Sequence, residues 1–464
     1  MAGLFQGIEL GKRALLAQQL CLQTVGHNIA NVNTPGFTRQ RVTLTTTLPE
    51  RHAAGMVGTG VTAGNVRHVR DLLLGVQFRR ENKSLGQWSY REKILTQIEA
   101  VFAEPNDNTL SDLLNSFWDA WSDLSTDPRS TSHRAILIES TQQVTARFQQ
   151  MAAQLGSLRE QINTELVAIV EDVNSYAAEI ARLNKLIASQ ELGEQHANDL
   201  RDTRDRLIDE LSELIDVNTV GQPNGQVTVM VGALAIVDGG QSLSIKVESM
   251  NENGVPTHKL LLGNSTIEIR SINGRLKGLL DMRDETIPKY MSELDRVALT
   301  LVEQVNALHV TGYGLDGVTG REFFDPTTTG AADIRLNLSL VDNPDRIGAS
   351  QSGEVGDNSV ALAIQDLRNR LLMANGTTTL NNYYNGVVSR LGMETVEACD
   401  NTESFGLLVH QIHNARESVQ GVSLDEEMAN MVKLQHAYDA AARVITTMDE
   451  ALDTVIFRMG VTGQ

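Results

Sequence analysis

The chain has few cysteines and few aromatic residues for its length. Among 464 residues there are two cysteines, Cys21 and Cys399, and aromatic residues make up 4% of the sequence. Two cysteines cannot supply a disulfide framework or a cysteine-based zinc cluster. Because aromatic side chains are scarce, we expect hydrophobic cores built mainly from Leu, Ile, Val, Ala and Met.

Long apolar runs are also missing. No stretch approaches the roughly 20 apolar residues that a membrane-spanning helix needs. The N-terminal residues lack the basic segment and apolar core of a cleavable signal peptide, so export of this protein would need another route. The net charge of −19 argues against general binding to nucleic acid or anionic membranes. We therefore expect neither nucleic acid nor a membrane as a partner.

What is present is typical of a soluble globular protein, with 41% hydrophobic and 21% charged residues. A chain of this length is expected to form about three domains. Charge is unevenly distributed: residues 1–80 carry nine Lys/Arg and three acidic residues, hence +6, and residues 421–464 carry seven acidic residues and three Lys/Arg, hence −4. The two ends could attract each other, or they could be two ordinary solvated faces.

An amphipathic helix is predicted at the N-terminus. Apolar residues at three- and four-residue spacing form a narrow seam on about 25 residues. The seam residues are Ile8, Leu15, Leu22, Val25, Ile29 and Val32. Pro35 cannot continue the helix, and alternating Thr and Val in residues 38–70 favour an extended arm.

The C-terminal segment shows the most regular pattern. Its apolar residues alternate in steps of three and four over four heptads with no glycine or proline, which predicts a coiled-coil seam. The seam residues are Met431, Leu434, Tyr438, Ala441, Ile445, Met448, Leu452, Val455 and Met459. Each end thus presents one stripe that needs a partner, and we expect each to cover the other.

The sequence pattern in the middle of the chain predicts a helical bundle and a smaller β domain. Helical patterns dominate residues 71–216, 275–310 and 356–420, and we expect them to form a helical bundle. Residues 217–274 change to a period of two, and residues 311–355 are rich in glycine, so these two segments are expected to form a smaller, outer antiparallel β domain. The predicted fold is mainly α-helical and hairpin-like, with residues 1–70 and 421–464 as the terminal assembly domain.

No catalytic, metal or cofactor site is predicted. The segment GYGLDG at 312–317 matches a dinucleotide-binding glycine pattern, but it lacks the preceding strand and following helix. His410 and His413 have no acidic or cysteine ligands nearby, and Cys399 has no patterned base. A hydrolase would need a clustered acid and base, and we find none.

The stretch TVGHNIANVNTPGFTRQRV resembles the N-terminal signature of the axial proteins of the bacterial flagellum. The residues that carry the resemblance are Asn28, Ile29, Ala30, Asn31, Asn33, Thr34, Pro35, Gly36 and Phe37. Segments 110–138, 198–217, 274–324 and 421–455 resemble the family of hook-associated protein 1, the first hook–filament junction protein. Rod and hook proteins share only the two ends, so the helical middle favours the junction family. The alternative is another rod or hook component, or a type III-secreted scaffold protein.

The resemblance implies a structural adaptor that links hook to filament as a ring of identical subunits. It implies contacts with the hook protein and with a second junction protein, and an export chaperone on the C-terminal seam. It also implies secretion through the flagellar type III apparatus, an extracellular location, and terminal helices that stay largely unpaired until assembly. The asparagines of the motif could cap freed backbone groups or bond to neighbouring subunits. Phe37 could anchor in its own chain or in the next.

Overall fold

A computed structural model of the chain has a mainly α-helical fold with smaller antiparallel β regions, which confirms the predicted fold class. It describes residues 2–52, 55–102, 109–191, 195–252, 255–263, 265, 267–269 and 272–458. None of the described helices is long and apolar enough to span a membrane. The chain divides into two compact units, one formed by residues 1–84, 170–274 and 405–464 and the other by residues 85–169 and 275–404.

The elements are numbered in chain order. The helices are α1 (Ala2–Ala30), α2 (Leu72–Phe102), α3 (Leu110–Thr126), α4 (Thr131–Gln190), α5 (Asn198–Leu214), α6 (Arg275–Asp281), α7 (Ile287–His309), α8 (Leu338–Asp342), α9 (Ser359–Asp366), α10 (Leu380–Gln420) and α11 (Leu424–Asp453). The strands are β1 (Gln40–Thr46), β2 (Glu50–His52), β3 (Gly55–Val57), β4 (Val61–His68), β5 (Asn218–Gly221), β6 (Val227–Val231), β7 (Leu234–Asp238), β8 (Gln241–Ser242), β9 (Ile245–Glu252) and β10 (Val255–Leu262). A π-helical segment, Met282–Thr286, joins α6 to α7, and another, Thr454–Arg458, continues α11.

The unit that contains both ends of the chain holds α1, α5, α11 and all ten strands. Helix α1 packs against α11 and also against β1 and β4. Strands β1 and β4 form an antiparallel arm, and β2 pairs with β3. The antiparallel sheet β5-β6-β7-β8 is fixed to α4 by Asn184, whose side chain donates to the Val227 and Gly239 carbonyls and accepts from the Val227 amide.

The second unit has an aromatic core that the composition did not lead us to expect. Helix α3 begins with a capping box between Thr109 and Asp112. Its buried face carries Phe117, Trp118 and Trp121. These rings pack with the loop residues Phe323 and Phe324 and with His309 at the end of α7. A second aromatic group in this unit is formed by Phe102, Tyr290 and Tyr384.

The expected domain boundaries differ from the observed units. Helices α2, α4 and α10 each run through both units, so the predicted limits at 71, 216 and 420 are not unit boundaries. The segments 217–274 and 311–355, which we expected to share a β domain, lie in different units. Residues 311–355 contain short helices and isolated bridges, because Asn337 and Asn343 accept backbone N–H groups and start helical turns there.

Candidate assembly interface

The two ends of the chain form one pair of packed helices, α1 and α11. Two glycines allow the close approach. A β-carbon built on Gly11 would lie 2.6 Å from Cγ1 of Ile445, and one on Gly7 would lie 3.0 Å from Sδ of Met448. The described structure therefore brings the predicted terminal partners together, with the glycines of α1 opposite the larger seam residues of α11.

The predicted residues of the C-terminal seam are mostly buried or half-buried, and three of them, Ala441, Ile445 and Met448, lie against the glycines of α1. Ala441 and Leu452 are buried, and five other predicted residues are half-buried. These five are Met431, Leu434, Ile445, Met448 and Val455. Tyr438 is the most exposed described member, at 36%, and Met459 lies outside the described residues. The alternating spacing of three and four therefore locates the face of α11 that meets its partner.

The N-terminal seam is displaced from its predicted position. Val25 is buried, whereas Ile8, Leu15, Leu22, Ile29 and Val32 are half-buried. The buried line contains smaller and more polar residues: Gly11, Ala17, Cys21, Thr24 and Asn28. Helix α1 contacts both α11 and the β1–β4 arm, so its burial is not confined to one apolar stripe that faces a single partner. Cys21 is a small buried residue, and burial raises the pKa of its thiol.

Asn28 joins three elements at the end of α1. Its side-chain N–H₂ donates to the Gln40 carbonyl at 2.9 Å and to Oε2 of Glu427 at 3.0 Å. Its side-chain oxygen accepts from the Gln40 amide at 2.9 Å. Asn28 is 1% exposed, and a buried amide is stabilising only when its hydrogen-bonding groups are satisfied. The first asparagine of the motif therefore ties α1 to β1 and α11 within one chain.

A buried ion pair lies beside Asn28. The Arg39 guanidinium donates to Glu426 at 3.0 Å and lies 2.6 Å from Oε1 of Glu427. The Glu427 side chain is 2% exposed and that of Arg39 is 14% exposed. The Arg39 amide also donates to the Gln420 carbonyl, just before α11. The opposite charges of the two ends therefore meet at this joint, which we call the terminal joint: Asn28, Arg39, Gln40 and Glu427.

The remaining motif residues form the turn after α1. Asn31 donates to the His27 carbonyl at 3.0 Å and closes the helix end. Gly36 has φ +77°, a left-handed conformation that favours glycine. The Phe37 ring contacts the edge of the His27 ring, with centroids 5.4 Å apart. In this structure Phe37 is thus anchored in its own chain, while Asn33, Thr34, Pro35 and Gly36 are exposed.

Helix α5 supports the same turn, a role that the sequence did not predict. The Thr38 amide donates to Oδ2 of Asp202 at 2.8 Å, and Gln40 donates to Asp199 at 2.6 Å.

The role of Glu427 was not predicted either, although the sequence contained an indication of it. Glu427 lies four residues before Met431 and so continues the seam spacing of α11, where a carboxylate is unexpected unless a cation covers it.

Replacing Gly11 with leucine should force α1 away from α11, because its side chain would overlap Ile445. Overpacking of this kind costs about 1–3 kcal/mol. Gly26→Leu is the matched control, since nothing lies within 4 Å of a β-carbon at Gly26. Hydrogen exchange of the α1 and α11 amides should accelerate in Gly11→Leu and not in Gly26→Leu. Equal protection in both variants would contradict the close packing.

The remaining candidate residues do not form a chemical site. No group of His, Cys, Asp or Glu among the described residues has metal-binding geometry. Gly312 packs against Gly348, and Tyr313 bridges to Ser350, so the GYGLDG segment is a structural loop. His410 contacts Asn414 and His413 packs near Phe78. Cys399 is exposed, and the carboxylate of Glu92 is the main cause that raises the pKa of its thiol.

The NTPGF turn after α1 and the pairing of α1 with α11 are the features by which the chain resembles the axial proteins of the flagellum. Family models agree along the sequence. Residues 8–38 match flagella basal body rod proteins, residues 95–324 match the helical domain of the flagellar hook-associated protein FlgK, and residues 417–457 match the C-terminal region of basal body rod FlgEFG proteins.

Similar proteins extend the match to the whole chain. Flagellar hook-associated protein 1 of Bacillus subtilis is 33% identical over 100% of both chains. The Salmonella typhimurium protein of the same name is 25% identical, over 95% of this chain and 98% of its own. The hook junction protein FlgK of Burkholderia pseudomallei has a similar fold, with a TM-score of 0.66 and 16% identity over 74% of this chain and 100% of its own. The chain belongs to the flagellar hook-associated protein 1 family.

Family membership gives the chain a structural role at the hook–filament junction of the flagellum. It confirms the resemblance recognised in the sequence. It also confirms that the protein is not an enzyme, because the family is a structural one.

Proposed function

We propose that this chain forms a ring of identical subunits that links hook to filament, and that the paired α1 and α11 are its assembly element. The observation that carries the proposal is the apolar surface that remains after the two helices pair. Phe5 and Leu16 of α1 are 59% and 57% exposed, and Met428 and Val432 of α11 are 60% and 52% exposed. Exposed apolar side chains grouped on an element favour burial against another subunit.

The partners that we propose are the hook protein on one side and a second junction protein, leading to the filament, on the other. We also propose export through the flagellar type III apparatus and an extracellular location.

An export chaperone is proposed to bind the C-terminal seam as a helix in a groove. In the described structure this seam is covered by α1. A chaperone on the seam would therefore compete with α1, and pairing of the two ends would follow its release. This differs from the expectation that the ends stay unpaired before assembly, because α1 of the same chain already packs against α11.

Removing the gene from its bacterium tests the junction role. Electron microscopy should show hooks without filaments, and flagellin should accumulate in the medium because its attachment point is missing. The wild-type gene should restore filaments. Normal filaments in the deletion strain would overturn the proposal.

A charge in the terminal seam should block assembly. Ile445→Glu places a carboxylate against Gly11, whereas Thr446→Glu places the same group on an exposed position of the same helix. Burying an unpaired charge is unfavourable by several kcal/mol, so Ile445→Glu should fail to restore filaments in the deletion strain. Thr446→Glu should restore them. Failure of both variants, or success of both, would contradict assembly through this seam.

A further inference from the structure

A cavity of about 340 Å³ lies beside the terminal joint, between α1, β1 and α11. Helix α1 contributes Cys21 and Thr24 to its wall, β1 contributes Arg41, and α11 contributes Asn430 and Lys433. All three elements belong to the unit that contains both ends of the chain. Because both terminal helices form its wall, the cavity exists only in a chain whose ends have paired.

The wall of this cavity carries positive charge that the chain itself does not neutralise. Arg39 in the wall already binds Glu426 and Glu427. Arg41 and Lys433 are exposed, and neither forms an ion pair with a described residue. The surface that fits this wall is therefore a negatively charged one.

A second arginine of the arm adds to the same charge. Arg67 on β4 stands directly opposite Arg41 on β1, so the two side chains lie on one face of the arm. Like charges in directly opposed positions are destabilising, and Arg67 also has no carboxylate partner among the described residues. We call Arg41, Arg67 and Lys433 the basic cluster.

The last turns of α11 show the opposite imbalance. Asp449, Glu450 and Asp453 are exposed, and none forms an ion pair in the described part of the chain. No Lys or Arg stands three or four residues from any of them, and Asp449 lies four residues from Asp453, a spacing at which like charges are destabilising. The helix dipole also disfavours negative charge near the C-terminal end of a helix. We call these three residues the acidic end.

The basic cluster and the acidic end of one chain cannot meet. At 100° per residue, the three carboxylates lie about 160–260° round the axis of α11 from Lys433. Ile445, which packs on α1, lies about 120° round from Lys433, between the two. Lys433 and Glu450 are also about 25 Å apart along the axis at 1.5 Å per residue. The acidic end that reaches a basic cluster must therefore come from a second copy of the chain.

We propose that the acidic end of one subunit docks on the basic cluster of the next subunit, with a carboxylate at the mouth of the cavity. The two surfaces differ and lie on opposite sides of α11, so the contact is heterologous and repeats from one subunit to the next. Parallel α11 helices of neighbouring subunits are then displaced by about 25 Å along their axes, and the ring is one turn of a helix. The inference rests on the proposed assembly of identical subunits.

Docking of this kind makes assembly depend on the pairing of α1 with α11. A chain with unpaired ends has no cavity, because α1 and β1 are then not held beside Lys433. A few exposed ion pairs are too weak to hold two free subunits together. The contact therefore forms in the assembled junction and not between free monomers.

Cross-linking between two tagged copies in the deletion strain tests the contact. One copy carries Ala429→Cys, four residues before Lys433, and the other carries Thr446→Cys, four residues before Glu450; both positions are exposed. The displacement that brings Glu450 to Lys433 also brings Thr446 beside Ala429. A short bis-maleimide should link the two copies in purified flagella and not in the free monomers.

The neighbouring threonine provides the matched control. Both copies carry Cys21→Ala and Cys399→Ser, so that the introduced thiols are the only ones. Thr447→Cys replaces Thr446→Cys; it is also exposed but points about 100° away round the helix. Linking through position 447 should be several-fold weaker. Equal linking at 446 and 447, or no linking at 446 in flagella with normal filaments, would overturn the inference.

A charge exchange tests the ion pair. Lys433→Glu and Glu450→Lys should each lower the cross-linked fraction by roughly two- to fivefold, the range of one exposed ion pair, and the chain that carries both should recover it. Arg51→Glu, at an exposed arginine on β2, controls for the change in net charge and should leave the fraction unchanged. Lack of recovery in the double variant, or an equal fall in Arg51→Glu, would contradict the pairing.

The inference and the proposed function fail in different experiments. Normal filaments in the deletion strain would overturn the function, whatever the cross-links show. Missing filaments in that strain, together with flagella of the cysteine variants that do not cross-link, would overturn the docking contact alone.

Discussion

Replacing Arg39 with alanine is expected to destabilise the terminal joint by about 3–5 kcal/mol, because it leaves Glu427 buried without its cation. Asn28 would still donate to Glu427, but one amide does not offset the loss of a full charge. Hydrogen exchange of the α1 and α11 amides measures the stability of the joint locally. A local measurement is needed because a chain with two compact units does not have a single free energy of unfolding.

Two variants control this result. Glu426 binds the same arginine but is 63% exposed, so Glu426→Gln should cost no more than about 1 kcal/mol. The double variant Arg39→Met with Glu427→Leu removes both charges and should recover much of the protection lost in Arg39→Ala. If Arg39→Ala and Glu426→Gln had the same small effect, the joint would not depend on the buried pair.

Acidification is expected to weaken the second unit through His309. This histidine is 1% exposed, its Nδ1 lies 2.7 Å from the Arg321 carbonyl, and its Nε2 accepts from the Gly348 amide at 2.8 Å. Burial, the largest cause, lowers the pKa of His309 from 6.5 to about 4. The ring is therefore neutral in the folded protein, with its proton on Nδ1.

The sign of the effect follows from the lowered pKa. Between pH 6.5 and 4 the unfolded chain binds a proton that the folded chain does not. The stabilisation is complete above pH 6.5 and is lost as the pH falls towards 4, by about 3 kcal/mol in total. Urea unfolding of the second unit, followed by tryptophan fluorescence, measures this loss. His309→Gln should have a shallower pH dependence over this range, and an unchanged slope would contradict the assignment.

The sequence predicted the regular parts of the fold because their periodicity is set by contact with one neighbour. The seam of α11 has a single main partner, α1, and its spacing located it. Helix α1 has two partners, α11 and the β1–β4 arm. Its apolar pattern therefore predicted a helix, but the predicted seam lies about one residue away from the residues that are most buried. Residues 311–355 were expected to join the β domain but contain short helices. Asparagine and glycine occur both in connections between strands and at the ends of short helices, so they do not distinguish the two.

The terminal joint was only partly predictable. The NTPGF turn and its asparagines were visible as a resemblance, but the bonds of Asn28 depend on Gln40 and on Glu427, 399 positions away. Asp199 and Asp202 of α5 support the turn from a third segment. Polar contacts between distant segments leave no periodic pattern in the sequence. The carboxylate of Glu427, at a position that continues the apolar seam of α11, was the one sequence feature that indicated such a contact.

The distance between the two terminal helices in the free, full-length protein tests the central claim, that the ends of one chain pair with each other. Spin labels at Lys12→Cys and Thr447→Cys, both exposed positions, can be attached after Cys21→Ala and Cys399→Ser. Pulsed electron resonance should give one narrow, short distance, as expected for helix axes about 8–10 Å apart, and Arg39→Ala should broaden it. A broad distribution without a short-distance peak in the otherwise unchanged protein would contradict the account.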